Sequence, residues 1–120
     1  MNIEEFRNYC LAKKCVTESF PFDETTLVFK VCNKMFALTG LENPELRVNL
    51  KCDPDRAVEL RETYKSILPG YHMNKRHWNT VVVDGSFSDE FFKEMIDHSY
   101  DLIVQGLPKK TKEDLKNNKK

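Results

Sequence analysis

The residues best equipped for chemistry crowd into one stretch, Pro69 to Val83, which reads PGYHMNKRHWNTVVV. It holds His72 and His77, the only tryptophan (Trp78), the Lys75-Arg76 pair and Asn74. An arginine presents a rigid fork of donors suited to phosphate or carboxylate. Asn74 and His77 add further donors beside it. His72 and His77 lie five positions apart, so they would diverge on a helix and oppose one another on a strand. A shared metal is therefore not expected. No glycine-rich phosphate loop, GxSxG or HExxH occurs, and there are only four glycines. Nor does any local signature mark a Cys-His nucleophile. The chemistry these residues offer is binding, with neither catalysis nor a cofactor expected.

Other candidates have plainer readings. Tyr71 and Trp78 could stack on bases, but aromatics of this kind more often seal the edge of a small core. In the run His98-Ser99-Tyr100-Asp101, Tyr100 is expected to pack partly inside while His98 and Asp101 face water. Glu4 and Glu5 could begin an acidic metal surface, but a role at a helix start already accounts for them. Lys30, Arg47 and Lys51 alternate with apolar neighbours, so they point outward from strands and could extend Lys75-Arg76 into one basic surface.

The run GYHMNKRHWNTV, followed by Asp84-Gly85 and later by IDHSYDLI, resembles the MmcQ/YjbR family of small bacterial proteins. Met35-Phe36-Ala37-Leu38 and VNLKCDPDRAVEL look like that family's preceding strands and middle helix. The likeness runs from about Phe6 to Leu107. It implies a frataxin-like fold related to a double-wing DNA-binding domain, and hence DNA as partner. On that reading Asn74, Lys75, Arg76 and His77 are the contacts, with His72, Lys30, Arg47 and Lys51 in support. The alternative is a protein-interaction or small anionic-ligand module that uses the same motif.

A chain of 120 residues suits one domain with a modest core. No apolar run approaches the roughly 20 residues needed to span a bilayer, so no membrane partner is expected. The start, MNIEEFRNYC, has acids where a secretion signal would carry bases, which leads to an expected cytoplasmic location. Cys10, Cys15, Cys32 and Cys52 show no CxxC spacing and read as reduced, small apolar residues. Charge is unevenly spread. Six lysines against Glu113 and Asp114 make residues 107–120 net +4, leaving residues 1–106 with 13 bases against 17 acids, net −4. Duplex binding driven by phosphate neutralisation fits poorly with an acidic body.

The elements must position these groups. Asn2 with Glu5 predicts a capped helix to about Lys14. Val16 to Phe22 and Thr26 to Cys32 predict strands, and an Asn33-Lys34 turn leads to a third strand over Met35 to Thr39. Glu45 to Cys52 alternates with Leu46, Val48 and Leu50 inward. Asp53-Pro54 starts a second helix whose face runs through Ala57, Leu60, Tyr64, Ile67 and Leu68 to a stop at Pro69-Gly70. A strand over Trp78 to Val83 precedes a third helix capped by Ser88 and ended by Gly106. The fold class expected is α+β, an antiparallel sheet with its helices mainly on one face. Residues 1–107 form the domain, and 108–120 a Lys-rich tail too polar to pack.

Overall fold

The computed structural model describes residues 1–70 and 73–117, with Tyr71, His72 and residues 118–120 outside the described residues. In chain order the elements are α1 (Ile3–Leu11), β1 (Val16–Ser19), β2 (Thr26–Val31), β3 (Lys34–Gly40), β4 (Leu46–Lys51), α2 (Pro54–Thr63), β5 (Ile67–Pro69), β6 (Trp78–Val83), α3 (Asp89–Gln105) and α4 (Lys109–Asn117). The starts of α1, α2 and α3 follow their caps. Asn2 and Glu5 form the reciprocal capping box, Asp53 accepts from Arg56 N ahead of Pro54, and Ser88 accepts from Phe91 N.

The sheet is antiparallel throughout, in the order β1-β2-β3-β4-β6-β5. Alternation gives each strand two faces. Leu27, Phe29, Val31, Val48, Leu50, Ile67 and Val81 join Phe6 and Cys10 of α1, Ala57 and Leu60 of α2, Phe92, Met95 and Ile96 of α3, and Leu115 of α4 in one core. Val28, Leu38 and Trp78 form a second, small cluster on the other face, with Met35 and Met73 against it and no helical residue. The architecture is thus α+β, with its helices on one side of the sheet.

Several boundaries differ from the sequence reading. α1 ends at Leu11, and Cys15 takes a left-handed backbone with φ 59° just before β1. Lys13, free of the helix, bonds Asp97 of α3 at 2.5 Å. The β2–β3 hairpin turns on Cys32-Asn33, at φ 47° and 68°, one residue earlier than expected, because Lys34 already pairs with Val31. Two consecutive positive φ angles are what a two-residue I′ turn requires. The ladder also shifts between Phe29 and Lys30, where Ala37 and Met35 are the respective partners and Phe36 is the extra residue.

The second helix stops at Thr63 and does not reach Leu68. Ile67 and Leu68 instead form edge strand β5, with Ile67 opposite Val81. That pairing seats Ile67, only 1% exposed, in the core. The tail is not frayed along its length either. Lys109–Asn117 is helical, and Leu115 is buried beneath it at 7% exposure. One leucine among polar residues is enough to anchor a helix against a core that is already formed.

Candidate nucleic-acid interface

The basic motif sits on a short turn between β5 and β6. Gly70 opens it, donating its N–H to Trp78 O at 2.9 Å. A Cβ added at Gly70 would lie 2.9 Å from both Trp78 Cβ and Trp78 O, so only glycine lets the two strands pass this closely. Asn74 starts one helical turn: its carbonyl accepts from His77 N and Trp78 N, and its Oδ1 accepts from Arg76 N at 3.0 Å. Asn74 therefore shapes the turn as well as facing solvent. His77 O takes Cys52 N at 2.7 Å, tying the turn to the end of β4. On the other flank Arg61 Nη1 donates to Lys75 O at 2.8 Å and to Asn79 Oδ1 at 3.0 Å.

Lys75 and Arg76 are exposed and His77 half-buried. Neither Lys75 nor Arg76 has an ion pair among the described residues. His72 lies outside the described residues. Lys51 stands opposite Trp78 in the ladder and Lys30 opposite Met35, which by alternation puts both on the helix-free face, and Lys51, at the end of its strand, also lines a cleft with Leu102 and Ile103 of α3. Two strand spacings, roughly 10 Å, separate the Lys30 and Lys51 backbones. Arg47 shares that face, but its guanidinium is held by Glu45 at 2.6 Å, which takes much of its charge out of play.

The charge puzzle of the sequence resolves by layer. The six strands carry Lys30, Lys34, Arg47 and Lys51 against one acid, Glu18. Glu18 is itself bound to Arg7 of α1. Helices α1 to α3 carry ten acids against Arg7, Arg56, Arg61 and Lys93. The acidic body is the helical layer. The sheet is basic.

The same face holds a groove that sequence reasoning missed. It measures about 460 Å³ and is lined by Phe22, Asp23, Thr26, Leu38, Asn49 and Met73, among others. Phe22 is 65% exposed on the β1–β2 loop. The signal available in the sequence was a pair of phenylalanines, Phe20 and Phe22, stranded in a Pro- and Asp-containing loop. Asp23 accepts from Thr25 N at 2.9 Å and Thr26 N at 2.6 Å. These bonds, led by that from Thr25, hold its carboxyl below the usual carboxylate range. Asn49 Oδ1 accepts from Thr80 Oγ1 at 2.5 Å.

The other polar candidates are structural. Ser99 is wholly buried, donating to Phe36 O at 2.5 Å and accepting from Lys51 N at 2.9 Å. It thereby caps the unpaired groups beside the bulge. His98 does not simply face water. It is half-buried, and its Nε2 accepts from Asp53 N at 3.2 Å. Burial, and then the Arg56 charge, lower its pKa. Tyr100 donates to Lys14 O and packs edge-on to Phe36. Cys10 and Cys52 are buried, with burial raising their thiols to about 12 and about 11. Cys15 and Cys32 are half-buried neighbours, Cys32 N donating to Cys15 O at 3.3 Å. Among the described residues no group of three or more His, Cys, Asp or Glu is placed to hold a metal. No helix is long and apolar enough to cross a membrane.

Comparison with known proteins covers nearly the whole fold. A family model described as YjbR matches residues 11–102. The uncharacterized protein YjbR of Escherichia coli K12 is 35% identical over 90% of this chain and 92% of its own. YbdF of E. coli O157:H7 is 39% identical over 76% of this chain and 75% of its own. The crystal structure of Deinococcus radiodurans protein DR2400, with a DUF419 domain, matches at TM-score 0.90 and 40% identity, covering 96% of this chain and 88% of that one.

Proposed function

The chain belongs to the YjbR family, and on that premise we propose that it is a DNA-binding module acting in the cytoplasm. It binds its ligand and does not transform it. The observation that carries this reading is the segregation of charge by layer. Supporting the reading are Lys30 on β2, Lys51 opposite Trp78 where the turn joins β6, and the exposed Lys75 and Arg76 on that turn, which the proposal takes as one basic surface. No acid stands on β2 to β6. A helical layer of opposite sign on the far side orients the molecule, because a polyanion is drawn to one face and repelled by the other. The turn is also preorganised by Arg61, Asn74 and the His77–Cys52 bond, so little order must be gained on binding. Four cysteines without a disulfide suit a reducing compartment.

The test is an anisotropy titration with labelled DNA at two salt concentrations. Wild type should lose affinity steeply with salt. Lys75→Ala with Arg76→Ala should weaken binding and flatten the log–log slope by about two, one for each lost phosphate contact. Lys109, Lys110 and Lys112 are replaced by Gln in a third variant, which keeps Leu115 in place. If that variant alone abolishes binding while the Lys75/Arg76 variant is unaffected, the turn is not the DNA site. No binding by any protein at low salt would end the DNA reading.

A further inference from the structure

The groove beside the basic turn has the chemistry of a slot for an unpaired base. Its walls are Phe22, more exposed than any other large hydrophobic residue described, and Met73. An exposed ring and a thioether lining one groove suit a flat aromatic guest. The floor combines Leu38 with Asn49. Because Asn49 Oδ1 is occupied by Thr80, the amide NH₂ is the donor left to a guest. Asp23 also lines the groove. Its Oδ1 already accepts from Thr25 and Thr26, but Oδ2, which accepts only from Thr26 Oγ1, keeps lone-pair capacity for an exocyclic amino group, as acidic side chains take from cytosine N4. Apolar walls with one donor and one acceptor match the faces and edge of a nucleobase. The volume, about 460 Å³, lies in the range of roughly 300–1,000 Å³ that holds small ligands.

The surroundings say what such a base is attached to. Lys51 follows Asn49 by two residues on the same face of β4, roughly 7 Å along the strand. Lys75 and Arg76 follow Met73 on the turn. A base in the groove thus has cations beside it where its backbone would run, and no strand-borne acid nearby. In a duplex the base faces are stacked and unavailable. We infer that the groove between Phe22 and Met73 binds an unpaired base of single-stranded DNA, with Lys51, Lys75 and Arg76 on the flanking phosphates. The inference rests on the DNA-binding reading and narrows it to a single strand.

The experiment compares a labelled oligodeoxycytidylate with a hairpin duplex of similar length, each at two salt concentrations. The proteins are wild type, Phe22→Ala, Phe22→Trp and the Lys75→Ala/Arg76→Ala pair. The single strand should bind more tightly than the duplex. Phe22→Ala should lose roughly 5- to 150-fold for the single strand, the range for one stacked base. Its salt slope should be unchanged, since no phosphate contact is removed. Phe22→Trp should restore binding. Equal affinity of wild type and Phe22→Ala for the single strand would overturn the slot, as would a preference for duplex. If the slot fails while the Lys75/Arg76 pair still weakens binding and flattens the slope, DNA binding stands and only the groove is wrong. If wild type binds neither oligonucleotide at low salt, both fall together.

Discussion

The Arg61 guanidinium on α2 donates from one nitrogen to the Lys75 carbonyl at 2.8 Å and to the Asn79 side chain at 3.0 Å. A residue of the helical layer thus holds in place the turn that carries the basic pair. Asn79 is 2% exposed on the core side of β6, so the bond also satisfies a buried amide. Binding surface and core share one cation.

Arg61→Ala should therefore reduce stability and DNA affinity together. Leaving Asn79 without its donor should cost about 1–3 kcal/mol, read by urea denaturation. DNA affinity should fall although Lys75 and Arg76 remain. Arg61→Lys should recover only part of both, because an ammonium lacks the fork geometry. Unchanged binding by a folded Arg61→Ala protein would show that the turn orders itself.

Gly70→Ala should destabilise by about 1–3 kcal/mol, the usual cost of overpacking. Its Cβ would sit 2.9 Å from Trp78 Cβ and Trp78 O. The lone tryptophan reports directly on the site, and its emission should shift to the red as β5 and β6 part. A variant of wild-type stability and emission would mean that the strands separate freely.

His98 should make stability depend on pH in mildly acidic solution. Its folded pKa lies below the ordinary value, through burial and then Arg56, and its neutral Nε2 accepts from Asp53 N. An unfolded histidine takes up its proton near pH 6.5. Below that the unfolded chain holds more protons, so stability falls with pH. The contribution is present above about 6.5 and drains away as pH falls through the lowered folded value. His98→Gln should be less stable than wild type at neutral pH, with the gap narrowing on acidification. Denaturation curves at both ends of the window decide it, and a constant gap would contradict the assignment.

Leu115→Ala should cost about 2 kcal/mol, at the low end for a buried leucine because α4 lies at the periphery. Leu115 is 7% exposed and is the only buried residue of α4. The variant should also lose helical circular dichroism and amide protection over Lys109–Asn117. Full retention of both would mean that α4 stands without its anchor.

What the sequence determined by itself is local. Asn2 with Glu5, Asp53 with Pro54, and Ser88 set helix starts because a cap reaches only two or three residues along its own chain. Leu46, Val48 and Leu50 announced a strand with one buried face because side chains on a strand alternate. Asn74 to His77 stood out as a basic, donor-rich run, and the structure leaves Lys75 and Arg76 exposed to solvent.

Tertiary structure decided whatever depends on a distant partner. Ile67 and Leu68 continue a helical stripe in sequence, yet Val81 and Thr80 across the ladder draw them into β5. The extra residue at Phe36 is stabilised by Ser99, 63 positions away. Leu115 makes a helix of the polar tail only because a core waits to receive it. The net −4 of residues 1–106 suggested a poor surface for DNA because a sum has no direction. Folding gave it one: alternation along β2 turned Lys30 to the open face, while ten of the 17 acids of residues 1–106 lie on helices α1 to α3. Charge is fixed by composition, but a field is fixed by where the layers lie.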